Sequence, residues 1–179
     1  TSFTIAPEAG TQRLRDIINK GNTDADLLDT ARRVFDGGWK SIKLYFMIGL
    51  PGERDEDLEG IADLANRVMR QGRGRQVTLG LSTMVPKPHT PFQWARQIGL
   101  EETLARQGHL RRRISHRNIS FKRRGARMSL LEGLFSRGDE RLAELVERAW
   151  ALGARFDGWS DLFLFDRWEE ALRGSDIRL

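Results

Sequence analysis

The chain has 179 residues, 39% of them hydrophobic and 31% charged, a length of about one domain with apolar content that excludes global disorder. A spanning helix needs about 18 or more consecutive apolar residues, and no such run occurs; the absence of cysteine excludes disulfides and any thiolate-ligated metal held by these residues. The net charge of +5 is local, because residues 111–127, "RRRISHRNISFKRRGAR", hold eight Lys/Arg and no acid, leaving 22 basic against 25 acidic residues elsewhere, a net of −3.

Residues 2–6, "SFTIA", predict a strand ending at Pro7, and residues 10–19 a short helix with Leu14, Ile17 and Ile18 on one face. After the break at "KGN", Thr23 has the character of an N-cap, with Asp24 and Asp26 in the first turn. Leu27, Leu28, Ala31, Val34 and Phe35 follow at helical spacing until Gly37-Gly38 stops the helix. "KSIKLYFMIG" predicts a strand with Ile42, Leu44, Phe46 and Ile48 on one face and Lys43, Tyr45, Met47 and Gly49 on the other. A loop leads to a helix from Asp55 to Met69 that turns Leu58, Ile61, Ala62, Ala65, Val68 and Met69 inward. "QVTLGLSTMV" predicts a third strand, apolar on Val77, Leu79 and Leu81 and smaller or polar on Thr78, Gly80 and Ser82.

Alternating strands and helices over residues 1–85 imply parallel strands with crossover helices. A parallel sheet covered on both faces has two apolar faces. Here only one face is apolar, as in a barrel wall whose inner side meets a ligand. Three strands do not close a barrel, so the remaining strands are expected before Thr1. The first residue is Thr rather than Met, and no signal peptide opens the chain, so a piece of a longer protein is expected.

Beyond this part, "VPKPHTPFQW" reads as an extended, proline-stiffened segment. Residues 100–114 predict a helix, 118–123 a strand, 127–137 and 139–152 two helices, and "RFDGWSDLFLFDRWEEAL" a turn and a last helix. Leu142, Leu145, Val146, Ala149 and Trp150 form an apolar stripe, and Trp150, Trp159, Phe163, Phe165 and Trp168 are expected to pack in a core. The expected division is residues 1–98, the α/β part, and residues 99–179, a mostly helical extension that carries the basic run 111–127.

Ligands of parallel α/β folds bind at the carboxyl ends of the strands. "YFMIGLPGERDEDLEG" (residues 45–60) is such an end: Gly49 and Gly52 permit close backbone approach, and exposed N–H and C=O groups there can read the edge of a flat heterocycle. A phosphate loop fits poorly, since no Gly-Lys-Ser/Thr occurs and "ERDEDLE" is acidic. A plain strand-to-helix turn is the alternative. The first strand places Glu8 on the inward face with Gly10 beside it, and the third runs into "STMVPKPHTPF".

The set Glu8-Ala9-Gly10, Asn19-Lys20-Gly21, "MIGLPGE" (Met47 to Glu53) and Pro86-Lys87-Pro88-His89-Thr90-Pro91 resembles the radical S-adenosylmethionine (SAM) superfamily over residues 2–95. The likeness is to the branch that includes the methylthiotransferases and the anaerobic coproporphyrinogen oxidase. "ARMSLLEGLFSRGDERL…GARFDGWSD" is similar to the tail of an uncharacterised subgroup that often carries a cobalamin-binding-like domain in front. The resemblance implies the carboxyl half, strands four to six, of a parallel (β/α)6 partial TIM barrel in a cytoplasmic iron-sulfur enzyme.

By the resemblance, Glu8 meets the ribose hydroxyls or amino group of SAM, and Lys20, where the family often has Arg, faces its carboxylate. Met47 and Ile48 lay backbone along the adenine with Gly49 permitting the approach, and Gly10, in the turn with Glu8, belongs to the same cofactor-binding set. Glu53 caps the next helix or orients the loop, and Val85 closes over the adenine. Tyr45 stands where the family's general pattern has Gly. The Cys-x3-Cys-x2-Cys triplet that binds the 4Fe-4S cluster is absent from these residues and expected upstream, so this stretch alone is expected to be inert. Cobalamin is a further cofactor implied for the whole protein.

His89, beside the expected site, and Tyr45 are candidate substrate contacts; His89, His109 and His116 are too scattered for a metal constellation. The second function is a non-catalytic nucleic-acid module in which residues 111–127 meet RNA phosphates, with Phe121 near for stacking. A solvated basic surface is the plainer reading of that run. No membrane partner is expected.

Overall fold

The computed structural model describes residues 2–114 and 116–177. Four strands form one sheet in the order β1 (Ser2–Glu8), β2 (Ser41–Ile48), β3 (Gln76–Thr83), β4 (Ile119–Arg123), and every neighbouring pair is parallel. Between β1 and β2 lie α1 (Gln12–Ile17) and α2 (Asp24–Asp36), between β2 and β3 lies α3 (Asp55–Gln71), and before β4 lies α4 (Leu100–Arg113). The helices α5 (Ala126–Arg137), α6 (Leu142–Ala151) and α7 (Phe165–Arg173) follow. Packing divides the chain into a first unit, residues 1–84 and 98–124, and a second, residues 85–97 and 125–179.

In the first unit the two periodicities of the sequence meet in one core. Ile42, Leu44, Phe46 and Ile48 of β2, with Val77, Leu79 and Leu81 of β3, are buried against Leu27, Ala31, Val34 and Phe35 of α2 and Leu58, Ile61, Ala65, Val68 and Met69 of α3. The Thr23 side chain and Asp26 cap α2 reciprocally, as the acidic first turn predicts. The opposite sheet face is half-buried or exposed along its length, with Lys43, Tyr45, Met47, Thr78, Ser82 and Lys122 among its residues. The Tyr45 ring lies on Gly80, where a Cβ would stand 2.8 Å from two ring carbons.

Two expectations are corrected here. The first strand was to end at Pro7, yet pairing with β2 resumes at Glu8 across an irregularity between Ile5 and Glu8. Proline lacks the N–H that a ladder needs, so the strand bulges at Pro7 and then continues. The sheet also has a fourth strand: residues 119–123 pair with β3, Val77 opposite Ile119 and Leu79 opposite Phe121. Ile98, Leu110 and Ile119 are buried in the sheet's core, so the packing boundary differs from a single cut at residue 98.

The second unit buries Leu131, Leu145, Ala149, Phe165, Trp168 and Leu172 together. The segment 85–97 is held on α5: Lys87 pairs with Glu132 at 2.7 Å, and Gln97 donates to the Ser129 carbonyl at 2.8 Å. Of the five aromatics expected in a core, Phe165 and Trp168 are buried and Phe163 packs against them, but Trp150 is 60% and Trp159 67% exposed. On α6 the inward pair is Leu145 and Ala149. Val146 and Trp150 stand one position further round the helix, and the Arg155 guanidinium covers the Trp150 ring at 4.1 Å.

Gly10 joins the end of β1 to α3 backbone against backbone. A Cβ there would lie 2.2 Å from the Asp57 carbonyl oxygen and 2.3 Å from the Ile61 nitrogen, whereas a Cβ on Gly21 would meet nothing within 4 Å. Gly10→Ala is expected to destabilise the fold by about 1–3 kcal/mol, as overpacking does, and Gly21→Ala by less than about 0.5 kcal/mol. Urea denaturation of the two variants checks the contrast.

Candidate functional site

Because all four strands are parallel, their carboxyl ends share one edge of the sheet. At the end of β1, Glu8 has φ 67°, a left-handed conformation that costs a non-glycine residue about 1–3 kcal/mol. Its half-buried carboxylate lies 3.5 Å from the Lys20 ammonium. Lys20 is brought there by the turn after α1, where its N–H donates to the Arg15 carbonyl at 2.8 Å and Asn19 is left-handed.

Arg15 fixes that turn from beneath. Fully buried, it donates to the Ala9 and Asn22 carbonyls, each at 3.1 Å, and pairs with Asp24. Burial pushes the Asp24 carboxyl up, but hydrogen bonds and charge from Arg67 and Arg15 outweigh it and hold the group below the ordinary range.

The loop after β2 is tied to itself and to its neighbours. Gly49 and Gly52 take φ of 80° and 77°, which only glycine adopts freely. The Gly49 N–H donates to Glu53 Oε2 at 2.7 Å, the Glu53 N–H to the Leu50 carbonyl at 3.0 Å, and Arg13 to the Gly52 carbonyl at 2.9 Å. The Ile48 carbonyl accepts from the Met84 N–H at 2.9 Å. Two backbone groups at the end of β2 are thereby occupied within the chain.

The Glu53 side chain is 2% exposed and ion-paired with Arg106 of α4, while its Oε1 is buried with no partner among the described residues. Burial pushes its pKa up to about 7 and the Asp57 charge adds to this, against the Gly49 N–H and Arg106. Glu53 does not cap α3. Asp57, 1% exposed, accepts from the Arg54 N–H at 2.7 Å and also bonds Thr11 Oγ1 and Arg13.

Glu8, Lys20, Met47, Ile48, Gly49 and Glu53 thus stand at one edge of the first unit, with Gly10 packed behind Glu8 on α3. Tyr45 lies on the open sheet face, 47% exposed. Val85 and His89 fall in the second unit, where His89 is exposed and left-handed, its N–H 3.3 Å from Gln93 Oε1. No group of three or more potential metal ligands occurs among the described residues. No helix among them is long and apolar enough to cross a membrane.

Sequence reasoning missed Asp57, Arg13, Arg15 and Arg106. Asp57 is legible afterwards as the third residue of α3, where a carboxylate reaches back to the N-cap. The arginines had no signal, since Arg13 and Arg106 meet partners 44 and 53 residues away.

The basic run is not one surface. Arg111, Arg112, Arg113, His116 and Arg117 precede β4, whereas Lys122, Arg123 and Arg124 end or follow it. A five-residue strand of about 3.3 Å per residue separates the two groups. Arg127 belongs to the second unit and covers the Phe165 ring at 5.5 Å.

Residues 1–65 match the radical SAM superfamily. The chain is also similar to the uncharacterized protein MJ0966 of Methanocaldococcus jannaschii, 31% identical over 153 residues, 82% of this chain. It spans 32% of that relative's length. No solved structure matches the chain.

Glu53 yields a pH prediction with a definite sign. Its folded pKa, about 7, lies above the ordinary 4.5, so the folded state binds more protons between those values and its stability falls as pH rises from about 4.5 to about 7. Glu53→Gln keeps an acceptor for the Gly49 N–H and removes this dependence. Urea titrations from pH 4.5 to 7.5 are expected to show the variant gaining on the parent as pH rises; a constant or shrinking difference contradicts the assignment.

Proposed function

We propose that these residues are the SAM-binding half of a radical SAM iron-sulfur enzyme, with β1 to β3 as strands four to six of its partial barrel and β4 extending the sheet beyond them. The observation that carries the reading is the superfamily match over residues 1–65, the stretch that contains the Glu8–Lys20 pair and the Gly49–Glu53 loop. The four parallel strands, covered by helices on one face only, suit a segment of barrel wall with its inner face toward a ligand.

The residues present fit SAM by the chemistry of their donors. The methionyl end of SAM carries an ammonium and a carboxylate, and Glu8 with Lys20 offers the opposite pair of charges at hydrogen-bond range of one another. Glu8 binds the amino group or ribose hydroxyls and Lys20 the carboxylate. The loop held by Glu53 supplies shape: with the Gly49 N–H already donated, adenine meets Met47, Ile48 and Gly49 mainly by van der Waals contact and the remaining lone pairs.

The chemistry supplied by the cofactors, when bound, is one-electron reductive cleavage of SAM. With no cysteine in the chain, the cluster ligands belong to a Cys-x3-Cys-x2-Cys segment elsewhere in the longer protein. The likeness to the methylthiotransferase and coproporphyrinogen oxidase branch rests on the order of the motifs. Cobalamin has no assigned residue in this chain.

Isothermal titration of the chain with SAM tests the reading. Glu8→Gln and Lys20→Ala are each expected to weaken binding about tenfold, the loss of about 1.4 kcal/mol of charge-assisted hydrogen bonding. Arg73→Ala, at the other edge of the sheet, is expected to change nothing. Binding that is indifferent to Glu8 and Lys20 contradicts the assignment.

A further inference from the structure

The amino-terminal edge of the sheet carries a concavity that the proposed function does not use. Residues Met69 and Arg70 at the end of α3, the turn Gly72-Arg73-Gly74, and His116, Arg117 and Asn118 ahead of β4 line a groove of about 290 Å³. Backbone bonds fix its walls: the Val77 N–H donates to the Asn118 carbonyl at 3.0 Å, and the Arg75 N–H to the Gly72 carbonyl at 3.2 Å. Gly72 is backed by the Phe35 ring, and Gly74, with φ 70°, leaves open space where a side chain would stand. The groove lies at the opposite edge from Glu8 and Gly49, some eight strand residues away at about 3.3 Å each.

Its lining is cationic and uncompensated. Arg70, Arg73 and Arg117 are exposed, and none of their guanidiniums forms a hydrogen bond or ion pair with the described residues. His116, exposed, uses Nδ1 to accept from the Asn118 N–H at 3.1 Å. Among the described residues, no acidic side chain lines the groove. Many other arginines of the same unit do find carboxylates: Arg13 with Asp57, Arg15 and Arg67 with Asp24, Arg106 with Glu53, Arg113 with Glu59. Three unpaired guanidiniums around one concavity repel one another, and an anion with several oxygens removes that repulsion while matching their planar donor forks. The neighbouring groove on α3 differs, since Glu59 and Asp63 line it beside Arg112 and Arg113.

We propose that this groove is a binding site for a phosphate-bearing ligand, with Arg70, Arg73 and Arg117 as its anion contacts. The inference is independent of the SAM reading, because no residue is shared between the two edges. The phosphate could come from a nucleic-acid backbone or from a small phosphorylated molecule, and both are tested.

The experiment measures binding of a fluorescein-labelled oligouridylate and of pyrophosphate to the chain over a salt series. The double variant Arg73→Ala/Arg117→Ala is compared with Arg111→Ala/Lys122→Ala, which removes the same charge from exposed positions outside the groove. The groove variant is expected to weaken binding tenfold or more, and the control less than twofold. For the oligouridylate, the groove variant lowers the slope of log K against log salt by about 1.4, two contacts at about 0.7 each. Urea midpoints of both variants are expected to match the parent's, since neither Arg73 nor Arg117 has a partner to lose. If pyrophosphate competes with the oligouridylate, a nucleic-acid phosphate occupies the groove. If pyrophosphate alone binds, the ligand is a small phosphorylated molecule. Absence of binding by either probe, or equal weakening in both double variants, overturns the proposal.

Discussion

The Asp57 carboxylate is the point on which the candidate site's geometry depends. It is buried, and its two oxygens serve three groups on two segments: the Arg54 N–H at the start of α3, and the Thr11 hydroxyl and Arg13 guanidinium at the start of α1. Arg13 in turn donates to the Gly52 carbonyl. One acid therefore fastens the turn after β1 to the loop after β2, and those are the two chain segments that carry Glu8 and Gly49. A charge-assisted hydrogen bond contributes roughly 1.5–3 kcal/mol, so the three together hold the loops far more firmly than turn propensity does. The close backbone contact of Gly10 on α3 joins the same two segments.

A second constraint acts from the other side of the loop. Glu53 is buried, holds the Gly49 N–H and meets Arg106 from α4. Its raised pKa follows from desolvation that these contacts do not fully offset. The loop's conformation is thus set before any ligand arrives, by Glu53 within and by Arg13 and Asp57 without. Preorganisation of this kind lowers the ordering cost of binding a flat ring at a strand end.

Most of the fold was legible because period carries it. The alternation in "SIKLYFMI" and "QVTLGLST" and the spacing of Leu58, Ile61, Ala65, Val68 and Met69 are physical statements about which face is buried, and the core contains those residues. Glu8, Lys20, Gly49 and Glu53 are candidates through a resemblance in motif order. The clamp was not, because an arginine's partner many tens of residues away leaves no periodic trace. The fourth strand was visible as a strand but not as a member of the sheet, since short strands reveal their pairing only through tertiary contact. Trp150 shows the converse error: its helical spacing predicts core, while α6 fills its inward face with Leu145 and Ala149; Trp159, expected in the same aromatic cluster, lies exposed in the turn after α6.

The two edges of the sheet divide the chemistry. The carboxyl edge pairs an acid with a base and holds a rigid loop; the amino edge gathers unpaired arginines. The central claim concerns the first of these, and backbone amide shifts of the isotope-labelled chain titrated with SAM test it most directly. The account predicts that the largest perturbations fall at residues 8–10, 20 and 47–50. Shifts confined to residues 70–74 and 116–118, or none at saturating SAM, would contradict it.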